Sequence, residues 1–258
     1  MKIIGIIPAR MGSTRFAGKP LAKILGMPMI GHVFHRCKMS DLLDEVYVAT
    51  CDNEIMQYIE GLNGIAVMTK ETHDRCTDRT VEATSIIEKR TGKLVDVVVM
   101  IQGDEPMITP QMLDAAVRPM INDPSIKVLN LMSKLKNREE HDDPNEVKVV
   151  VNLKGNALYF SREPIPSWKK GAENVPMYRQ VCVIPFRRDF LFKYNSLSPT
   201  PLEIVESIDM NRVLEHGYSV KMVITETESY AVDTQEDLMK VEKLMKDDLL
   251  KDQYIGIN

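Results

Sequence analysis

IIGIIPARMGSTRFAGKPL, residues Ile3–Leu21, is the stretch whose reading decides the fold. Its first half, Ile3–Pro8, is an apolar run of strand character that ends in Pro-Ala-Arg. A loop follows that carries Gly12 and Gly18 together with Arg10, Arg15 and Lys19, and a helix is expected to begin near Pro20. A buried strand that feeds a basic, glycine-bearing loop just before a helix is suited to holding a polyanion. Loop amides and the helix N-terminus donate hydrogen bonds, while the three cations neutralise charge. Neither G-x-x-x-x-G-K-[ST] nor G-x-G-x-x-G is present, so the loop points to a nucleotide site of another kind.

Outward from this loop, strand and helix signals alternate. Glu45–Thr50, Ile65–Thr69 and Val95–Ile101 read as strands; Pro20–Met39, Asn53–Gly61, Arg79–Arg90 and Thr109–Asn122 read as helices. Such alternation implies a parallel sheet covered by helices on both faces, with ligands at the carboxyl ends of its strands. The basic loop after the first strand and the acidic segment Gln102–Pro106 after Val95–Ile101 should therefore open on one sheet edge. Past residue 127 the pattern becomes richer in strands. Lys127–Lys134, Val147–Asn152, Ala157–Ser161, Val181–Phe186 and Ser219–Ile224 carry strand signals, with a turn at Lys154-Gly155 making a hairpin. Leu202–His216 and Thr234–Lys246 read as helices, the second capped by Thr234. The expectation is one domain, residues 1–258, with a β-rich lobe inserted over residues 130–190.

Composition bounds the function classes. The 258 residues carry a formal net charge of −4, with 44% hydrophobic and 27% charged residues, ordinary for a globular protein. This balance offers no footprint for nucleic acid, so the basic loop reads as a local device. No apolar run approaches the ~20 residues that span a bilayer, and the N-terminus reads as lacking a signal peptide. No membrane insertion and a cytoplasmic location are expected. Cys37, Cys51, Cys76 and Cys182 show no paired spacing, which argues for reduced thiols rather than a zinc site or a disulfide framework. His32 and His35 share a helix face, but with no third ligand nearby they read as ordinary helix residues.

Two carboxylates stand out. Asp104, in Gln102-Gly103-Asp104-Glu105-Pro106, follows a buried strand after a glycine that lets a ligand approach the backbone, a setting that suits a hard cation such as Mg²⁺. Asp233, in Val232-Asp233-Thr234-Gln235-Glu236-Asp237-Leu238, has a competing role as helix-capping chemistry. Beside a phosphate loop, the pair suits the clamping of a metal-bound triphosphate.

IPARMGSTRFAGKPL, MTKETHDRCTDRTVEA, IQGDEPMI, DPNEVKVVV, ALYFSREPIP and VDTQEDL stand in the order and at the spacing of one family. Over nearly its whole length the chain resembles the 3-deoxy-manno-octulosonate (Kdo) cytidylyltransferases, the CMP-Kdo synthetases. The first segment alone would indicate only the wider cytidylyltransferase group; QGDEP together with ALYFSR and its following Ile-Pro narrows it. The resemblance implies a Rossmann-like, mostly parallel α/β sheet of the nucleotide-diphospho-sugar transferase type, with a lobe that makes a homodimer. It implies that Arg10, Ser13, Arg15 and Lys19 hold the CTP phosphates beside Pro8 and Ala9, with Asp78, Arg79 and Gln102 near the nucleotide. Asp104 and Asp233 would ligate Mg²⁺. Arg162, Gln180 and Asp209 would meet an acidic sugar, Arg162 at its carboxylate. The implied reaction is attack of an anomeric hydroxyl on the α-phosphate of CTP, with pyrophosphate leaving. Arg10, Lys19, Asp104 and Asp233 would carry it, with no covalent enzyme nucleophile.

The acceptor end departs from the family pattern. Gln180 stands where the family has His, Ile184 where it has Tyr, and Asp209-Met210 where it has Glu-Gln. If these positions reach sugar hydroxyls, the apolar replacements should weaken binding of a polyol and favour a modified or different acid. Three rivals remain at this level. A metal-dependent glycosyltransferase would want Asp-x-Asp after a strand, which Gly103-Asp104-Glu105 does not supply. A sugar-1-phosphate nucleotidylyltransferase would have a more glycine-rich first loop. A silent nucleotide-binding protein would not need Arg10, Lys19, Asp104 and Asp233 together.

Overall fold

The computed structural model describes residues 1–12, 16–169 and 174–256. By internal contacts the chain divides into two compact units, Met1–Asp114 with Glu228–Asn258, and Ala115–Thr227. The second unit is wider on both sides than the 130–190 span expected from strand content.

The first unit opens with β1 (Ile3–Ala9), buried at every residue as an all-apolar run in a parallel sheet should be. After the loop comes a single 3₁₀ turn at Lys19–Leu21, then a two-residue ribbon of β2 (Lys23–Ile24) and β3 (Met27–Pro28). Helix α1 (Met29–Lys38) begins only there. The helix expected from Pro20 is thus displaced by nine residues. Leu25 and Gly26 have φ of 49° and 86°, which suits a tight hairpin and no α-helix. The unit continues through β4 (Glu45–Thr50), α2 (Asn53–Gly61), β5 (Ile65–Met68), α3 (Cys76–Thr91), β6 (Val97–Ile101) and the start of α4 (Pro110–Asn122). Its strands run in the order β6-β1-β4-β5 with every pairing parallel. The register sets Ile6 beside Met100, so the carboxyl ends of β1 and β6 are neighbours.

The second unit holds β7 (Leu129–Lys134), α5 (Arg138–Asp142), β8 (Lys148–Val151), β9 (Ala157–Ser161), β10 (Tyr178–Val181), β11 (Val183–Arg187), α6 (Arg188–Ser196), α7 (Pro201–Glu206), α8 (Asp209–Glu215) and β12 (Lys221–Ile224). Its sheet runs β12-β7-β10-β8-β9, with the expected β8–β9 hairpin antiparallel. Two expected elements are each split. Val181–Phe186 breaks at Cys182, where β10 ends and β11 begins. Leu202–His216 breaks at Ser207, held at φ 55°, between α7 and α8. The break is fixed by a buried pair: Arg212 on α8 donates from Nε to Oε2 of Glu203 on α7 (2.6 Å) and from Nη2 to its Oε1 (2.5 Å). One straight helix would not fold the two halves onto each other.

The chain returns to the first unit for α9 (Gln235–Met245) and a 3₁₀ segment at Leu249–Gln253. Leu238, Val241 and Met245 of α9 pack on Ile24, Met29 and Val232. Farther on, Tyr254 docks on α1. Its hydroxyl lies 2.9 Å from both Arg36 Nε and His32 Nδ1, and His32 Nε2 lies 2.8 Å from the Ile24 carbonyl. Only one assignment of protons satisfies all four groups. Nε2–H donates to Ile24, the phenol donates to Nδ1, and Arg36 donates to the phenol. Both ring nitrogens of His32 are thus hydrogen-bonded, and His35 lies stacked on Tyr254.

Candidate active site

The carboxyl ends of β1 and β6 bound a pocket of about 300 Å³ in the first unit. Pro8, Ala9, Arg10, Gly12, Lys19, Gln102, Gly103 and Asp104 line it, joined by Pro20, Met29 and Cys76. This is the edge at which a parallel sheet of this kind collects ligands. The two loops approach closely here. A Cβ on Gly103 would lie 3.0 Å from Ile30 Cδ1 and 3.3 Å from the Pro8 carbonyl, so a side chain would press the acidic loop off the basic one. On the far side, Asp52 accepts the amide of Met11 at 2.8 Å and steadies the start of the basic loop.

At the pocket wall the two sequence-expected carboxylates meet one lysine. Lys19 Nζ donates to Asp104 Oδ2 at 2.8 Å and to Asp233 Oδ1 at 3.0 Å. Burial opposes the ammonium, yet the two carboxylates and their hydrogen bonds outweigh it and hold Lys19 above the ordinary lysine value. What brings residue 233 to residue 104 is a backbone bond, Val232 N–H to the Asp104 carbonyl at 2.9 Å. The competing cap role for Asp233 is taken by its neighbours. Thr234 accepts the Asp237 amide, and Asp237 accepts the amides of Asp233 and Thr234. The carboxylate of Asp233 is thereby left to face Lys19.

The second oxygen of Asp104, Oδ1, is buried with no hydrogen-bond partner. A lone carboxylate oxygen in that condition is costly unless something cationic or protic completes it. Among the described residues no three His, Cys, Asp or Glu side chains form a metal cluster. Two carboxylates with one unsatisfied oxygen fit Mg²⁺, which keeps waters and takes phosphate oxygens instead of a full protein cage.

The remaining expected residues fall into distinct settings. Arg10 is exposed at the pocket and donates to the His73 carbonyl at 3.2 Å. Asp78 sits in the first turn of α3. Arg79 is buried, bonds Thr69 Oγ1 and the Lys70 carbonyl through Nη1, and leaves Nη2 without a partner. Ser13 and Arg15 lie outside the described residues. Cys76, at the start of α3, lines the pocket and was not singled out from the sequence; its signal was its place inside the MTKETHDRCTDRT segment.

The expected acceptor residues belong to the second unit. Arg162 is fastened through three donors: its amide to Glu206 Oε2 (2.8 Å), Nε to the Glu206 carbonyl (2.8 Å) and Nη1 to the Pro144 carbonyl (3.0 Å). Glu206 also accepts from Tyr159 and Ser161. Burial alone would raise its pKa, but these donors hold it below the usual glutamate value. Nothing in the sequence marked Glu206. Gln180 donates to Asn130, and Asp209 opens α8. The apolar departures correct an expectation. Ile184 is 3% exposed and Met210 fully buried, so both pack in the core of the unit and present no apolar surface to a polyol.

The cytidylyltransferase family profile matches residues 4–250. A 3-deoxy-manno-octulosonate cytidylyltransferase of Geobacter metallireducens is 41% identical over 95% of this chain and 99% of its own. One of the same name from Solibacter usitatus is 39% identical over 97% of each chain. Among solved structures, a CMP:2-keto-3-deoxy-manno-octonic acid synthetase complexed with CTP superposes with a TM-score of 0.87 at 36% identity, over 95% of this chain and 99% of that one. A 4-diphosphocytidyl-2C-methyl-D-erythritol synthase from Anaerococcus prevotii, 14% identical with a TM-score of 0.64, shares the fold. With a profile match over residues 4–250 and near-full-length likeness of this degree, the chain belongs to the cytidylyltransferase family, in its 3-deoxy-manno-octulosonate branch.

Proposed function

We propose that this protein transfers CMP from CTP to the anomeric hydroxyl of 3-deoxy-manno-octulosonate, releasing pyrophosphate, in the presence of Mg²⁺. Near-full-length likeness to proteins named for that reaction carries the reading, and the pocket geometry supports it. CTP lies in the pocket between the β1 and β6 loops, its phosphates against Arg10 and Lys19 and the backbone at Pro8 and Ala9. Ser13 and Arg15, which lie between Arg10 and Lys19 in the sequence, would add to them. Gln102 lines the same pocket, and it stands with Asp78 and Arg79 on the nucleoside side.

In the reaction the acceptor hydroxyl oxygen forms a bond to the α-phosphorus, the bond to the bridging oxygen breaks, and the hydroxyl proton passes to solvent. Arg10 and Lys19 stabilise the charge on the departing pyrophosphate, one as a planar fork and the other as a point charge. Asp104 and Asp233 would hold Mg²⁺, which supplies charge neutralisation at the phosphates and lowers the barrier to in-line displacement. Arg162 holds the carboxylate of the sugar acid, with Gln180 and Asp209 toward its hydroxyls. No side chain forms a covalent intermediate. The protein acts as a homodimer in the cytoplasm, where its product is an activated sugar for transfer to a surface glycan. No helix among the described residues is long and apolar enough to cross a membrane.

Pyrophosphate release from each of the four nucleoside triphosphates, with Mg²⁺ and Kdo, tests the reading. Release with CTP at least ~10²-fold faster than with the other three is expected; no release with any of them overturns it.

A further inference from the structure

Lys19 does not point at open solvent. Its side chain is 12% exposed, and its ammonium is shared between the carboxylates of Asp104 and Asp233, the groups that would hold the cation. The lysine engages one oxygen of each carboxylate a divalent ion would need, and leaves Asp104 Oδ1 without a partner. Two carboxylates gathered on one ammonium are stable together only while a cation stays between them, because removing it leaves like charges facing each other in a half-buried place.

We propose that Lys19 is an internal counter-ion that keeps the metal carboxylates occupied until a triphosphate arrives. Phosphate oxygens in the pocket give the ammonium another anionic partner, so Lys19 can leave the carboxylates only as CTP comes in. Metal and nucleotide binding are thereby coupled: each removes an obstacle to the other, and the coupling is reciprocal. The same residue that serves the leaving pyrophosphate also prevents the site from binding a divalent ion prematurely. The inference rests on the assignment of Asp104 and Asp233 as the metal carboxylates.

Mn²⁺ binding followed by electron paramagnetic resonance, with no nucleotide present, reads this directly and needs no turnover. Wild-type protein should bind Mn²⁺ weakly, and Lys19→Met should bind it at least ~10-fold more tightly. Adding Asp104→Asn to Lys19→Met should remove the gain. Arg10→Gln removes a cation lining the same pocket but touching neither carboxylate, and should change Mn²⁺ affinity by less than about threefold. Equal affinity in wild type and Lys19→Met overturns the proposal, and so does a gain in Arg10→Gln as large as in Lys19→Met. Lys19→Gln replaces the Met variant if circular dichroism shows the latter unfolded. Failure here with CTP and Kdo still turned over by the wild type would refute the counter-ion role and leave the proposed reaction standing. Loss of that turnover would refute the reaction itself.

Discussion

Lowering the pH from 7 to 4.5 should cost the protein about 2 kcal/mol of stability through His32 alone. The imidazole is fully buried on α1, and burial is the main force that lowers its pKa from 6.5 to about 4. The guanidinium of Arg36 and the neighbouring His35 push the same way, and the carbonyl of Ile24 pushes back. A proton added at Nδ1 would also oppose the phenol proton of Tyr254, which has Arg36 behind it. The unfolded chain takes up this proton near pH 6.5 and the folded chain resists it until about 4. The stability is therefore complete above pH 6.5 and lost as pH falls through that window. Each pH unit between the two values is worth about 1.4 kcal/mol, so the window holds about 3 kcal/mol, most of it gone by pH 4.5. Urea unfolding of wild type and His32→Gln at both pH values isolates the effect, because acid loss from carboxylates is common to the two proteins. His32→Gln should be the less stable protein at pH 7 and should lose about 2 kcal/mol less on acidification. Equal losses in the two proteins would refute the neutral, hydrogen-bonded imidazole.

Iodoacetamide should label Cys76, exposed at the pocket, and leave Cys37 untouched, since full burial raises the Cys37 thiol well above its ordinary range. Saturating CTP should slow Cys76 labelling several-fold, read by mass spectrometry; labelling unchanged by CTP would place the nucleotide elsewhere. Arg162→Ala should lower kcat/KM for the sugar acid by ~10²-fold while leaving the KM for CTP within about twofold. A rise in the CTP KM alone would contradict its acceptor role.

The parallel half of the molecule was legible because its strands are uniform apolar runs and its helices have period. Asn53–Gly61 and Glu45–Thr50 stand where the pattern put them. The convergence of Lys19 and Asp104 on one edge was also legible, since a doubly wound sheet leaves only one edge for loops that follow strands. Three things were not. The β2–β3 ribbon depends on a turn at Leu25-Gly26 that an apolar period hides. The split at Ser207 depends on the buried Glu203–Arg212 pair, a tertiary contact invisible to local pattern. The choice between capping and ligand-facing roles for Asp233 depended on Asp237 closing the cap with Thr234, so that only the folded chain could decide it. At the acceptor end, substitution at positions 184 and 210 read as altered chemistry, whereas burial makes both packing residues.

In the proposed reaction Asp104 and Asp233, gathered on Lys19, would form the centre at which CTP is split. Phosphorus NMR of CTP, Kdo and Mg²⁺ with wild-type protein and with Asp104→Asn tests it most directly. Wild type should convert CTP to pyrophosphate and a new CMP diester resonance. The folded Asp104→Asn protein, its melting temperature within a few degrees of wild type, should lose at least ~10³-fold in rate. Asp104→Asn turnover near the wild-type rate would contradict the account.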